Sequence, residues 1–520
     1  MNIQTRANAV KPILAIDVGS MKTCALIAEL RDGEPHITGI GIAKSNGLKR
    51  GAITNIELAS KSIKTAVSDA RRIAGIEIGE ATVSISGAYT KSINSHGIVN
   101  VPNGEITLKE INRAIQTALY NANIPSEYET IHVLPYDFKV DEQDFIEDPI
   151  DMSGNRLEVS VHIVTVQKSS LENLRKAVKL AGLEIAHIVL SAYASAIAVL
   201  NDDEKELGVA VVDIGGSTSN IAVHLRNSIR YNDFLAVGSH HITNDLSMAL
   251  HTPIKDAENV KLEYGSLYSS SNALIELPIV GNESESNQVS LEIVSSVIFA
   301  RAEETLMILA KSLERGGFRN QIGAGVVFTG GMTKLDGLRD LAVSIFDNVP
   351  VRFAKSKEVD GLFEAQKDPS YSTVVGLVQY AAGKSCLYEI DSSKKLRLKE
   401  DMNPVFEEKK EEKVVSDIVE EKAQTQSFDY HSAVQNLFSL GEKLLHVTVD
   451  TTLKERVHQA IHRLKNATFS IGITGVMNAG KSTMLNALLG KELLGTAVVP
   501  ETANLTIIGY AKDSYAKVNF

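Results

Sequence analysis

The chain has 520 residues, with 44% hydrophobic and 22% charged side chains, which is the composition of a soluble globular protein of three or four domains. A formal net charge of -11 excludes a basic nucleic-acid-binding surface. Two cysteines, Cys24 and Cys386, exclude a disulfide framework and lead us to expect a reducing cytoplasm; no signal-like N-terminus and no run of about 18 apolar residues is present.

Residues 13–385 alternate strand-like and helical runs, the pattern of α/β architecture. Ile13 to Ser20 reads as a strand entering a tight turn, with a second strand over Thr23 to Ile27. Ile63, Ala66, Val67, Ala70 and Ile73 mark an amphipathic helix, and Leu171 to Ala181 repeats that pattern. The apolar stretch Ile188 to Leu200 is too short and too interrupted to span a membrane. Val211 to Val223 then mirrors the first strand–turn–strand unit, with Asp213 aligned on Asp17 and Gly215 on Gly19. A duplicated fold facing itself across a cleft accounts for this repeat.

An Asp-x-Gly turn suits nucleotide phosphates. Glycines bring backbone N–H groups close to the oxygens, and a carboxylate at the strand end holds Mg²⁺ through water. One such turn is also what many ordinary hairpins contain; two in register are more specific. A third element, Gly325 to Met332, is a buried strand ending in paired glycines. It lets backbone pass close to a flat ligand, and a helix is predicted after it over Leu335 to Phe346. His240 and His241 are an adjacent pair that would point opposite ways if extended and read as structural, and Cys24 reads as a core residue.

From Asp391 to Gln426, Lys and Glu alternate without glycine, which predicts a solvated linker. Two helices are expected over 428–466. His458 and His462 stand i,i+4 there with no third ligand beside them and read as a solvated face. A strand over Phe469 to Thr474 leads into Gly475-Val-Met-Asn-Ala-Gly480-Lys481-Ser482, a complete phosphate-binding loop that opens a helix. Gly475, Asn478, Ala479, Gly480 and Thr483 would cradle oxygens, Lys481 would reach the β/γ-phosphates, and Ser482 would bind Mg²⁺.

The Asp17, Asp213 and Gly330 elements, in this order, resemble the phosphate-1, phosphate-2 and adenosine motifs of the actin-like ATPases. Gly47 to Ile56, Ser84 to Gly87, His132 to Pro135, Val140 to Gln143 and Pro149 to Leu157 narrow the resemblance to the FtsA family of bacterial cell-division proteins. The resemblance implies an α/β, two-lobed actin-like ATPase fold with an FtsA-type inserted subdomain, followed by a linker and an incomplete P-loop α/β segment. It implies a first lobe over 1–205 with the insert at about 88–166, and a second lobe over 206–385 with a smaller subdomain at about 240–320. A linker over 386–427 and a segment over 428–520 would follow. The segment resembles dynamin-like GTPases, with Thr502 as the Mg²⁺-sensing switch threonine; their DxxG and base-reading motifs do not follow within 520 residues.

On the same resemblance, Asp17, Gly19, Ser20, Lys22 and Thr23 would meet ATP and Mg²⁺ from one lobe. Asp213, Gly215, Gly216, Ser217 and Thr218 would meet them from the other. Glu258 and Lys261 would touch adenosine, and Gly330, Gly331 and Met332 would border the base; Glu258 and Lys261 equally fit an ordinary i,i+3 ion pair. Metal contacts would come from Asp17, Asp213 and, with GTP, Ser482. Ser191 stands where relatives carry a carboxylate or glutamine near the attacking water, so weak hydrolysis is expected. Asp151 replaces a glycine usual in the family.

The implied partners are FtsZ, bound around 240–320 with Arg301 and Glu304 on a helix from Ile298 to Leu313, further copies in filaments, later division proteins, and the inner face of the cytoplasmic membrane at the division site. No nucleic acid is implied. No basic amphipathic membrane helix is evident. The alternatives are a membrane-remodelling GTPase fragment and a small-molecule kinase of the same superfamily, for which no catalytic aspartate loop is found.

Overall fold

The computed structural model describes residues 12–268 and 273–399, with the strand pairs Thr506–Ile507 and Lys517–Val518. The first lobe is built on a five-stranded sheet. Its strand order is Glu184–Leu190, Glu80–Ile85, Pro12–Val18, Lys22–Arg31, Glu34–Lys44. Pro12–Val18 pairs antiparallel with the next strand, placing Asp17 opposite Cys24, and parallel with Glu80–Ile85. The second lobe repeats this scheme. Val209–Ile214 pairs antiparallel with Ser219–Leu225 and parallel with Gly325–Thr329. The repeat inferred from Asp17 and Asp213 is therefore a repeat of sheet topology.

These strands are apolar because both faces are covered. Helix Ile56–Ala74 packs Ile63, Ala66, Val67 and Ala70 onto the first sheet. It starts well before the predicted stripe because Asn55 caps it, accepting the Leu58 N–H at 3.0 Å. Gly39 and Gly41 admit it: a Cβ on Gly41 would fall 1.8 Å from the Ala66 carbonyl oxygen. The apolar stretch near 188–200 is strand Glu184–Leu190 followed by helix Ser191–Val199, which is buried on every side. Among the described residues no helix is long and apolar enough to cross a membrane.

The insert is a separate sheet, ordered Tyr128–Val140, Arg156–Gln167, Thr90–Asn100 and backed by helix Leu108–Asn121. Asp151 adopts φ 61°, the left-handed conformation in which glycine is cheapest and Asp is tolerated.

Two local expectations are corrected. The linker does not begin at 386: Tyr388–Ile390 and Leu396–Leu398 form a hairpin that extends the insert's sheet through Ile390 opposite Val133. Tyr388 and Ile390 are buried, and Lys394 at the turn takes φ 65°; most of the charge that suggested a linker follows residue 399 and lies outside the described residues. The helix after the paired glycines begins at Leu338, because Gly337 at φ 80° separates it from a 3-10 turn over Gly331–Lys334. His240 and His241 lie in the first turn of helix Ser239–Ala249. The helices, phosphate loop, His458 and His462 expected beyond 427 lie outside the described residues.

Candidate functional site

A cleft of about 490 Å³ opens between the two lobes, and both turn aspartates line it. Asp17 ends its strand with Oδ1 accepting from Ser84 Oγ at 2.7 Å; Ser84 Oγ in turn accepts the Val18 N–H at 3.0 Å. Burial, and to a lesser degree the Asp213 charge, push Asp17 up to about 6, against the Ser84 hydrogen bond. Burial also raises Asp213, opposed by hydroxyls donated to Oδ2 from Ser195 at 2.7 Å and Thr373 at 3.0 Å. Two carboxylates held in one cleft at this cost form a site that favours a cation between them.

The turns fold closely against their own neighbours. A Cβ on Gly19 would stand 2.7 Å from the Lys22 carbonyl oxygen, and one on Gly216 would collide with the Met21 side chain. Gly330 takes φ 91°, and a Cβ there would fall 2.3 Å from Asp213 Oδ1. The strand–Gly330 turn must therefore be glycine for Asp213 to reach the cleft. Ser86 Oγ, on the cleft wall, is buried without a hydrogen-bond partner. Lys22 Nζ donates to Ser370 Oγ at 2.8 Å and lies 3.1 Å from the centre of the Tyr371 ring; burial lowers its pKa.

Glu258 and Lys261 lie on helix Ile254–Tyr264 and pair at 2.7 Å. Both face the cleft, and the Lys261 side chain is only 9% exposed, so the pair is a wall of the site and not a solvated face. Burial opposes ionisation of Glu258, but its bonds to Lys261 and Thr243 outweigh it and hold the carboxyl low.

Of the residues expected at this site, Asp17, Gly19, Ser20, Lys22, Asp213, Gly215, Gly216, Thr218, Glu258, Lys261, Gly330, Gly331 and Met332 line the cleft. Thr23 and Ser217 do not. Thr23 is the second residue of the return strand, opposite Val18, and is buried with its hydroxyl meeting Ser45 Oγ at 2.8 Å. Ser217 lies at the turn between Gly216 and Thr218, outside the lining. Ser191 reaches the cleft, but its hydroxyl donates to the Ile85 carbonyl at 3.0 Å. Sequence reasoning missed Ser370 and Thr373. They arrive from Pro369–Tyr371 and helix Ser372–Ala381, which carry no glycine-rich signature; the Asp368 cap on Ser370 was the one local signal.

Elsewhere, Cys24 is a core residue whose thiol burial pushes up to about 12. Arg301, on helix Leu291–Arg315, donates to Asp245 Oδ1 at 3.2 Å and also pairs with Glu304, so its guanidinium is already committed within this subdomain.

Three family models match the chain. The model "SHS2 domain inserted in FTSA" matches residues 87–165, "Cell division protein FtsA" matches 210–376, and the dynamin family matches 471–520. The cell division protein FtsA of Helicobacter pylori (strain J99) is 41% identical over 421 residues, covering 75% of this chain and 85% of the relative. That of Pseudomonas aeruginosa is 38% identical over 378 residues, covering 72% and 90%. Among solved structures, a PilM-PilN type IV pilus biogenesis complex shares the fold, with TM-score 0.52 and 17% identity over 71% of this chain and 98% of that one. The duplicated sheets, the inserted subdomain and this identity along most of the relatives' length place the chain in the FtsA family of cell-division proteins, with a two-lobed actin-like ATPase fold.

Proposed function

We propose that residues 12–399 bind Mg·ATP between the lobes and act as a division adaptor, not as a metabolic enzyme. In this reading the module polymerises, binds FtsZ, and holds the FtsZ ring at the inner face of the cytoplasmic membrane, where later division proteins gather. The observation that carries the nucleotide half is the pair of strand-end aspartates, Asp17 and Asp213, in one glycine-lined cleft. Two carboxylates suit a Mg²⁺ that keeps most of its waters, and bound Mg²⁺ would offset phosphate charge. The Gly19 and Gly215–Gly216 turns would present backbone N–H groups to oxygens, and Lys22 would supply a cation. Glu258, Lys261 and Met332 would flank the nucleoside.

Slow turnover is part of the proposal. Ser191 is the hydroxyl nearest the role of a water-orienting group, and a serine whose proton is given to a backbone carbonyl is a poor general base. The FtsZ and membrane half rests on family membership. Capture of FtsZ by the immobilised full chain, competed by an FtsZ tail peptide, tests it beside a phosphotransfer screen against small hydroxyl substrates. Capture without phosphotransfer is the expected result. Turnover of a small substrate above about 1 s⁻¹, the range of ordinary enzymes, would overturn the adaptor reading.

A further inference from the structure

Two helices run from Asp213 to the hairpin at 388–398. Helix Ser191–Val199 carries Ser195, whose hydroxyl donates to Asp213 Oδ2 at 2.7 Å. It also carries Tyr193, whose hydroxyl accepts the Cys386 N–H at 3.1 Å and donates to Glu389 Oε2 at 3.5 Å. Helix Ser372–Ala381 repeats the arrangement. Thr373 donates to the same Asp213 oxygen at 3.0 Å, and Tyr380 donates to Glu389 Oε1 at 3.0 Å.

Glu389 has no solvent exposure. His132 supplies a third donor. Its Nε2 accepts the Leu190 N–H at 3.0 Å, so a neutral ring carries its proton on Nδ1, which lies 2.5 Å from Glu389 Oε1. Leu190 is the residue ahead of helix Ser191–Val199, so His132 ties that helix to the hairpin as well. The two helices touch through backbone: a Cβ on Gly376 would fall 1.8 Å from the Ala194 carbonyl oxygen. Ser195 and Thr373 also meet at 2.9 Å. A shift of one helix therefore moves the other, and an oxygen of Asp213 moves with both. Buried polar networks of this kind tolerate few partial arrangements, because each lost partner leaves a desolvated group unpaired.

We infer that Glu389 is a positioning residue for Asp213, and that nucleotide occupancy of the cleft and seating of the hairpin Tyr388–Leu398 are linked through these two helices. The inference rests on the nucleotide reading of the cleft. A ligand that fixes Asp213 fixes Ser195 and Thr373, and with them the hydroxyls of Tyr193 and Tyr380 on Glu389. Linkage makes the effect reciprocal: a seated hairpin raises nucleotide affinity by the factor by which nucleotide favours seating. The chain that leaves the hairpin after Leu398 then carries information about the state of the cleft.

Hydrogen exchange of the full chain, with and without a non-hydrolysable Mg·ATP analogue, tests this directly. Amides of 388–398 are expected to exchange about fivefold or more slowly with the analogue, the low end of ordinary coupling. Tyr380→Phe, which removes one hydroxyl and keeps the ring, is expected to weaken analogue binding by the same factor and to abolish the nucleotide-dependent protection. A merely structural hydroxyl would loosen the hairpin equally in both states and leave affinity unchanged. Analogue binding by the wild type with unchanged exchange at 388–398, or equal affinity of Tyr380→Phe, overturns the linkage alone. Failure of the wild type to bind the analogue overturns the nucleotide reading and the linkage with it.

Discussion

Gly376 is the position where one added carbon should do the most damage. Its Cβ would stand 1.8 Å from the Ala194 carbonyl oxygen and 2.5 Å from the carbonyl carbon. Ordinary packing requires helices Ser191–Val199 and Ser372–Ala381 to separate by about 1.5 Å, in a core too dense to absorb it. Replacing a mid-helix glycine by alanine gains about 1 kcal/mol of propensity. Overpacking a closed core costs about 1–3 kcal/mol and more when backbone must move. The net expectation for Gly376→Ala is a loss of about 2 kcal/mol. The same separation would stretch the Ser195–Thr373 contact of 2.9 Å and spoil the two bonds to Asp213, so nucleotide affinity should fall too. Gly79→Ala is the control, since nothing lies within 4 Å of its added Cβ; it should be neutral or gain about 0.5 kcal/mol. Thermal and urea melts of both variants, with nucleotide titrations, decide the matter. Gly376→Ala as stable as wild type would refute the packing argument.

Three further outcomes are expected. Burial holds His162, bonded between Asn94 and Asn232, down to about 4 from 6.5. The unfolded chain therefore binds the proton first, and this histidine's contribution of about 3 kcal/mol is complete above pH 6.5 and lost as pH falls to about 4; urea melts across that window should lose part of their slope in His162→Gln, while buried His224, held down to about 3, keeps a contribution of the same sign. Arg301→Glu would set a carboxylate against Asp245 and Glu304 and should weaken binding of an FtsZ tail peptide; equal affinity would remove Arg301 from the partner surface. Lys481, in the loop Gly475 to Ser482, should carry phosphate binding there, so Lys481→Ala in the full chain should lower affinity for a GTP analogue at least about tenfold; equal affinity would contradict this.

The sequence was most legible where chemistry forces backbone shape. Asp17-x-Gly19, Asp213-x-Gly215 and Gly330 announce themselves as short glycine-bearing turns, those at Gly19 and Gly330 too close to their neighbours for a Cβ, and the common register of the first two exposed the duplicated sheets. It was least legible where small hydroxyls act at a distance. Ser195, Thr373 and Ser370 are ordinary helix and turn residues until the fold brings them to Asp213 and Lys22 from 18, 160 and 348 positions away. The hairpin at 388–398 was hidden for another reason. Its strands are three residues each, and its turn is charged, so local texture read as linker while Tyr388 and Ile390 were binding it to the core. Thr23 lies outside the cleft lining because both faces of its strand are covered and its hydroxyl is taken by Ser45, a consequence of packing that motif matching ignores.

The central claim is that the cleft between Asp17 and Asp213 holds Mg·nucleotide. Calorimetric titration of the full chain with a non-hydrolysable Mg·ATP analogue, repeated with Asp213→Ala, tests it most directly. One site per chain in the wild type, weakened at least about tenfold in the variant by loss of a metal-facing carboxylate, is the expected result. Absence of binding in the wild type, or equal affinity in Asp213→Ala, would contradict it.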